Sequence, residues 1–123
     1  MLLVGAILLV IIGVIHSYLG EKYILIRLFK RDNLPKLLGG DWFTKRVLRF
    51  AWHITTLAWW GFAAILYVLS VPSVDVQAEI LYIIAGVFAL SGTVSLLFSR
   101  GKHLSWLCFF TIAVISYYVA LSR

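Results

Sequence analysis

Apolar positions in this chain come in long unbroken runs rather than at the spacing of half-buried surface elements. Leu2 to Ile15 is apolar throughout and continues into His16, Ser17, Tyr18, Leu19 and Gly20. Three further runs cover about Phe50–Val71, Ile80–Phe98 and Leu104–Leu121. A helix needs roughly 20 apolar residues to cross a hydrocarbon core of about 30 Å, and each run comes near that length. A membrane strand would instead alternate over about ten residues. The pattern predicts an all-α integral membrane protein with one domain over residues 1–123. Its four transmembrane helices, about 2–20, 50–71, 80–98 and 104–121, form an antiparallel bundle.

The stretches between the runs predict the connections. From Glu21 to Thr44, Lys22, Arg27, Lys30, Arg31 and Lys36 alternate with Tyr23, Ile24, Leu25, Ile26, Leu28 and Phe29. This basic loop, about 21–49, reads as holding a short amphipathic segment in the interface, with Arg27, Lys30 and Arg31 toward anionic headgroups. The rival reading is that the first helix simply continues through it. Leu34-Pro35 ends the segment, Gly39-Gly40 turns the chain, and Asp41 is placed to cap the next helix. Trp42 and Phe43 suit an aromatic belt at the membrane boundary. Pro72-Ser73-Val74-Asp75 makes the second turn with Asp75 as cap, and Ser99-Arg100-Gly101-Lys102 makes the third.

Composition supports the membrane reading. The chain is 63% hydrophobic with a mean hydropathy of +1.00, more than a soluble domain carries. No lysine or arginine precedes the first run and no cleavage site follows it, so it reads as a retained span rather than a signal peptide. The single cysteine, Cys108, excludes an internal disulfide and any CxxC or CxxCH motif. The net charge of +6 reads as a juxtamembrane basic belt rather than a nucleic-acid surface.

That charge also predicts orientation. Lys22, Arg27, Lys30, Arg31, Lys36, Lys45, Arg46, Arg49, Arg100 and Lys102 all lie in the first and third connections, and only Arg123 does not. With four crossings those connections share a side, which the positive-inside rule assigns to the cytoplasm, leaving both termini outside.

All three histidines fall toward the same side. His16 sits roughly 7 Å below Glu21 and His53 roughly 6 Å below Arg49 at 1.5 Å per residue, while His103 is shallower, beside Lys102. An ionisable residue past the boundary of a span points to function by default. His16, His53 and His103 are therefore candidate ligands of a transition metal, or the two deeper ones of a b-type haem, with Arg49 and Lys102 balancing an anionic group such as a propionate. Arg49, one turn from His53, disfavours a divalent cation by repulsion. The plainer alternative is that each histidine is an interfacial, hydrogen-bonded residue. Arg49, His53, Thr56, Trp60 and Tyr67 share one helical face, and Gly13, Ser17 and Gly20 form a small-residue stripe where another helix can approach. Ser91, Ser95 and Ser99 recur every four residues and read as packing positions.

These observations support a small membrane protein with a histidine-centred metal or haem site in the cytoplasmic leaflet, acting as a redox or proton-handling subunit beside a quinone or a membrane complex. The second reading is a non-enzymatic accessory or scaffold protein that binds anionic lipid or a partner, self-association included. A small transporter or channel ranks third, because no acidic residue lies at a span centre. No catalytic residue is assigned.

Overall fold

The structure, a computed structural model, describes residues 1–123 and is all-helical. α1 covers Leu2–Leu19 and passes into a π-helical turn at Gly20–Leu25 and a last short piece, α2, at Ile26–Leu28. α3 covers Trp42–Val68, α4 Val76–Phe98 and α5 Ser105–Leu121. Three stretches, Leu2–Leu28, Trp42–Val68 and Val76–Phe98, are long and apolar enough to cross a membrane, and Ser105–Leu121 is a shorter apolar helix.

Two boundaries differ from expectation. Residues 21–28 do not form a separate interfacial segment; they prolong the first helix, with only a change of winding at Gly20. Glu21, Lys22, Leu25, Arg27 and Leu28 are good helix formers and no Gly or Pro lies between Gly20 and Pro35, so nothing in this sequence ends the helix before Leu28. α3 likewise begins at Trp42, not Phe50, because Thr44 to Arg49 holds no breaker. At 27 residues α3 is about 40 Å long, so its first turns extend past a core of about 30 Å.

Close packing follows chain order: α1 on α3, α3 on α4, α4 on α5, with no close backbone contact between α1 and α4 or α5, or between α3 and α5. The helices therefore line up as an open row rather than closing into the expected bundle. Each seam is lined by small residues. Gly13 of α1 and Gly20 at the start of the π-helical turn face Trp60 and Trp52, Gly61 of α3 faces Val87, and Gly92 of α4 faces Phe109 and Phe110. Ala85, Ser91 and Ser95 on α4 and Ala113, Ser116 and Ala120 on α5 are buried. Lipid tails are as apolar as leucine, so in a membrane close backbone approach at small residues replaces hydrophobic burial as the source of helix association.

The helix ends show what fixes the connections. Asp75 caps α4 as expected, its carboxylate accepting from Ala78 N–H at 2.9 Å. Asp41 does not cap α3; its carboxylate pairs with Lys45 at 2.6 Å instead. α4 ends in a Schellman motif: Gly101 N–H donates to Leu96 O at 2.9 Å and Arg100 N–H to Leu97 O at 3.3 Å. Arg100 (φ 52°) and Gly101 (φ 74°) both take the left-handed conformation that reverses the chain. Arg46 of α3 donates to Phe98 O at 3.2 Å, placing a cation at the C-terminal end of the α4 dipole.

Candidate functional site

The polar centre of the molecule lies in the α1–α3 seam near the basic end. Ser17 and Glu21, four residues apart, share a face of the first helix, and Arg49, His53 and Thr56 share the facing side of α3. His53 bridges the two helices: its Nε2 lies 3.1 Å from Glu21 Oε2 and its Nδ1 2.9 Å from Ser17 Oγ. Ser17 Oγ is also 2.7 Å from Thr56 Oγ1, and Thr56 donates to Gly13 O at 3.4 Å. Arg49 closes the other end as a two-pronged ion pair, Nη2 to Glu21 Oε1 at 2.8 Å and Nε to Oε2 at 3.2 Å. Its guanidinium also sits 5.0 Å from the centre of the Phe29 ring.

Local sequence explains why these groups meet. Gly20 carries no side chain where the Trp52 indole passes; a Cβ there would overlap the indole atoms. Trp52 Nε1 donates to His16 O at 3.1 Å and Trp60 Nε1 to Val10 O at 3.3 Å, so two indoles clip α3 along α1. The π-helical turn starts at Gly20, and Ile26 N–H reaches five residues back to Glu21 O. Such turns occur mostly as single insertions within α-helices and often mark functional sites.

The bonds describe a chain with two self-consistent proton arrangements. A neutral His53 donates Nε2–H to Glu21 and accepts the Ser17 hydroxyl at Nδ1. A protonated His53 donates from Nδ1 to Ser17, whose hydroxyl then turns to Thr56, whose own hydroxyl donates to Gly13 O. That carbonyl can only accept, so the chain ends without leaving any member unpaired. Ser17–His53–Glu21 also has the connectivity of a nucleophile, base and orienting acid. Ser17, however, sits inside a continuous helix whose backbone N–H groups are spent on the helix ladder, so they cannot form an oxyanion hole.

The three histidines do not converge. His16 lies flat on Trp52, ring centres 4.6 Å apart and planes 1° apart, with Trp59 at 4.7 Å on a tilt; its buried Nε2 has no hydrogen-bond partner. His103 belongs to a separate cluster at the α4–α5 turn, Nδ1 2.8 Å from Ser105 Oγ, its ring 5.3 Å from Phe50 and 6.3 Å from Phe43. Ser105 in turn meets Ser95 at 2.6 Å, and the fully buried Ser99 donates to Ser95 O at 2.6 Å and accepts from His103 N–H at 3.2 Å. Ser95 and Ser99 are thus hydrogen-bonded packing positions, and Ser91 is buried on the same helix face.

No group of three or more His, Cys, Asp or Glu side chains is placed to hold a metal ion, which corrects the expected histidine cluster. The reason is angular: equal depth along three helices does not set equal direction, and His16 turns to the tryptophans while His53 turns to Glu21. Arg49 is paired with Glu21 rather than free for a propionate, and Lys102 is exposed on the α4–α5 turn. Arg27, Lys30 and Arg31 are exposed; Arg27 lies over Tyr23 at 5.5 Å and Arg31 Nε donates to Asn33 at 3.1 Å.

The partners of His53 are what sequence reasoning misses. Glu21 and Arg49 stand at matching depths on facing helices and carry opposite charge, which is the signal that would have paired them. Comparison with known proteins adds no relative: no family model, curated protein or solved structure matches the chain.

Proposed function

We propose that this chain is a four-crossing integral membrane protein, both termini on the non-cytoplasmic side, that handles protons at Glu21–His53–Ser17 in the leaflet next to its basic connections. α5, with 17 residues, is about 25 Å long and sits at the short end of what spans a core. One observation carries the reading: His53 is held between a carboxylate and a hydroxyl chain that stay satisfied with or without a second ring proton. Histidine is the side chain whose charge changes most readily near neutral pH, and intramembrane acid–histidine pairs are a usual means of moving protons.

A haem or metal form of the site is the less economical reading. It would require the His16 ring to leave Trp52 and His53 to release Ser17 or Glu21. A neighbouring membrane complex fits as the partner that supplies or takes the proton, and a quinone would fit only where that complex also carries the electrons. An accessory role is compatible with this reading and is favoured by the open row, whose unpaired apolar faces suit a second copy or a partner helix.

Histidine-selective nitrogen NMR on protein in lipid bilayers tests the proposal. Over the accessible pH range His53 is expected to show an Nε2–H tautomer whose Nδ1 accepts from Ser17, and on acidification a reversible gain of the second ring proton with Nδ1 donating to Ser17. Glu21→Gln is expected to move that conversion, and Ser17→Ala to broaden or split the Nδ1 signal. A His53 that stays in one protonation state across that range, indifferent to both substitutions, would leave a purely structural tie between helices. Absorption spectra and metal analysis of the same preparation decide the haem and metal form.

A further inference from the structure

The connector between α2 and α3 holds an apolar pair that nothing in the chain covers. Leu37 and Leu38 are 51% and 59% exposed. Their turn is fixed rather than loose: Leu37 N–H donates to Gly40 O at 2.8 Å, and Gly40 N–H returns to Leu37 O at 3.4 Å. Leu38 stands at φ 55° and Gly39 at φ 89°. Leucine seldom takes the left-handed region, so the turn holds Leu38 outward, beside the exposed Leu37, in a conformation that its own preference opposes.

Two ties set the level of that turn along the membrane normal. Thr44 Oγ1 donates to Pro35 O at 2.8 Å, joining the near side of the turn to the first turn of α3. On the far side Gly40 lies against Trp42, where a Cβ would meet the indole at 3.7 Å. Trp42 and Phe43 open α3, and aromatic residues at a membrane helix end sit at headgroup level. The leucines are therefore held level with Trp42 and Phe43 at the start of α3.

Charge around the turn is one-sided. Lys30, Arg31 and Lys36 are exposed beside it, and Arg27 lies one helical turn back. Of the two acids nearby, Asp41 is paired with Lys45, which leaves Asp32 alone. Apolar residues flanked by cations at this level match an anionic leaflet, which offers an acyl boundary for the leucines and phosphates for the cations.

We propose that Lys36-Leu37-Leu38-Gly39 is a docking tip that seats its two leucines at the headgroup–acyl boundary of the anionic leaflet crossed by α1 and α3, with Lys30, Arg31 and Lys36 on lipid phosphates. It shares no residue with the Glu21–His53 site and stands apart from it. The test uses the full chain with Cys108→Ser as background, Leu38→Cys carrying an environment-sensitive fluorophore, and Asn33→Cys as the control position. The protein is reconstituted in phosphatidylcholine vesicles with and without phosphatidylglycerol.

With phosphatidylglycerol the probe at position 38 is expected to emit to the blue and to be quenched by lipids spin-labelled near the headgroup, whereas the control stays water-like. Lys30→Gln, Arg31→Gln and Lys36→Gln together are expected to remove the dependence on phosphatidylglycerol. Water-like emission at position 38 in both lipids, the result for a tip reserved for a protein partner, overturns the proposal. So does a shift that ignores phosphatidylglycerol or appears equally at position 33.

Discussion

The absence of a single carbon decides how closely α1 and α3 approach. Gly20 lies under Trp52, and Gly13 under Trp60, where a Cβ would come within 2.5 Å of Nε1. Bringing the backbones this close is what lets Ser17 and Glu21 reach His53 across the seam. Gly20→Ala is therefore expected to cost about 1–3 kcal/mol, the usual penalty for overpacking a fitted contact, and to loosen the Glu21–His53 pair. Gly86→Ala is the matched control, since a Cβ there meets nothing within 4 Å. Equilibrium unfolding in detergent compares the two; equal stabilities would mean the seam has slack at Gly20. The stripe Gly13, Ser17, Gly20 and the face Arg49, His53, Thr56, Trp60 are legible from helical periodicity alone, and they do pack together. The partner of each atom is not, because a helical wheel fixes direction only relative to its own axis.

Capping is legible where its chemistry has no competitor. Asp75 follows Pro72-Ser73-Val74 with no cation within one turn, so its carboxylate turns to Ala78 N–H. Asp41 precedes Lys45 by four residues, and the ion pair takes its carboxylate instead. The Ala78 N–H bond, followed by Arg123, whose Nε lies 3.2 Å from Asp75 Oδ2, outweighs opposing desolvation and holds the Asp75 carboxyl below its ordinary value of 3.8. A carboxyl lowered by folding binds fewer protons in the folded state, so its stabilising effect is full above the ordinary value and fades as pH falls through the folded one. Asp75→Asn keeps an N-cap acceptor while removing the charge, since asparagine caps about as well. Unfolding followed from pH 6 down to pH 2 is expected to show a shallower acid limb for Asp75→Asn, whereas Asp75→Ala is expected to be weaker at every pH. An acid limb unchanged by Asp75→Asn would assign it to other carboxylates.

Over the whole molecule, the apolar runs make the helices legible, but not their arrangement. Run length sets how many helices form. Whether four helices close or line up depends on which faces carry the small residues. Gly13 and Gly20, Gly61, Gly92 with Ala113 and Ser116 serve each helix's chain neighbours in turn, which builds a row. The long first connection is the other element hidden in the sequence. Its amphipathic composition suits an interfacial segment, yet with no breaker before Leu34-Pro35 the helix runs on through Leu28. Hydrogen bonds fix which connections share an end of the molecule: the connection 29–41 and the end of α4 that leads into 99–104 both meet the N-terminal end of α3, through Thr44 with Pro35 and Arg46 with Phe98. They therefore belong to one side, and the turn at Ser70–Asp75, where Arg123 reaches Asp75 at 3.2 Å, to the other. With Cys108 replaced by serine, Lys36→Cys is expected to react with an impermeant thiol reagent only from the cytoplasmic side and Ser73→Cys only from outside. Labelling of both positions from one side would break the crossing of α3, because those residues flank that single helix.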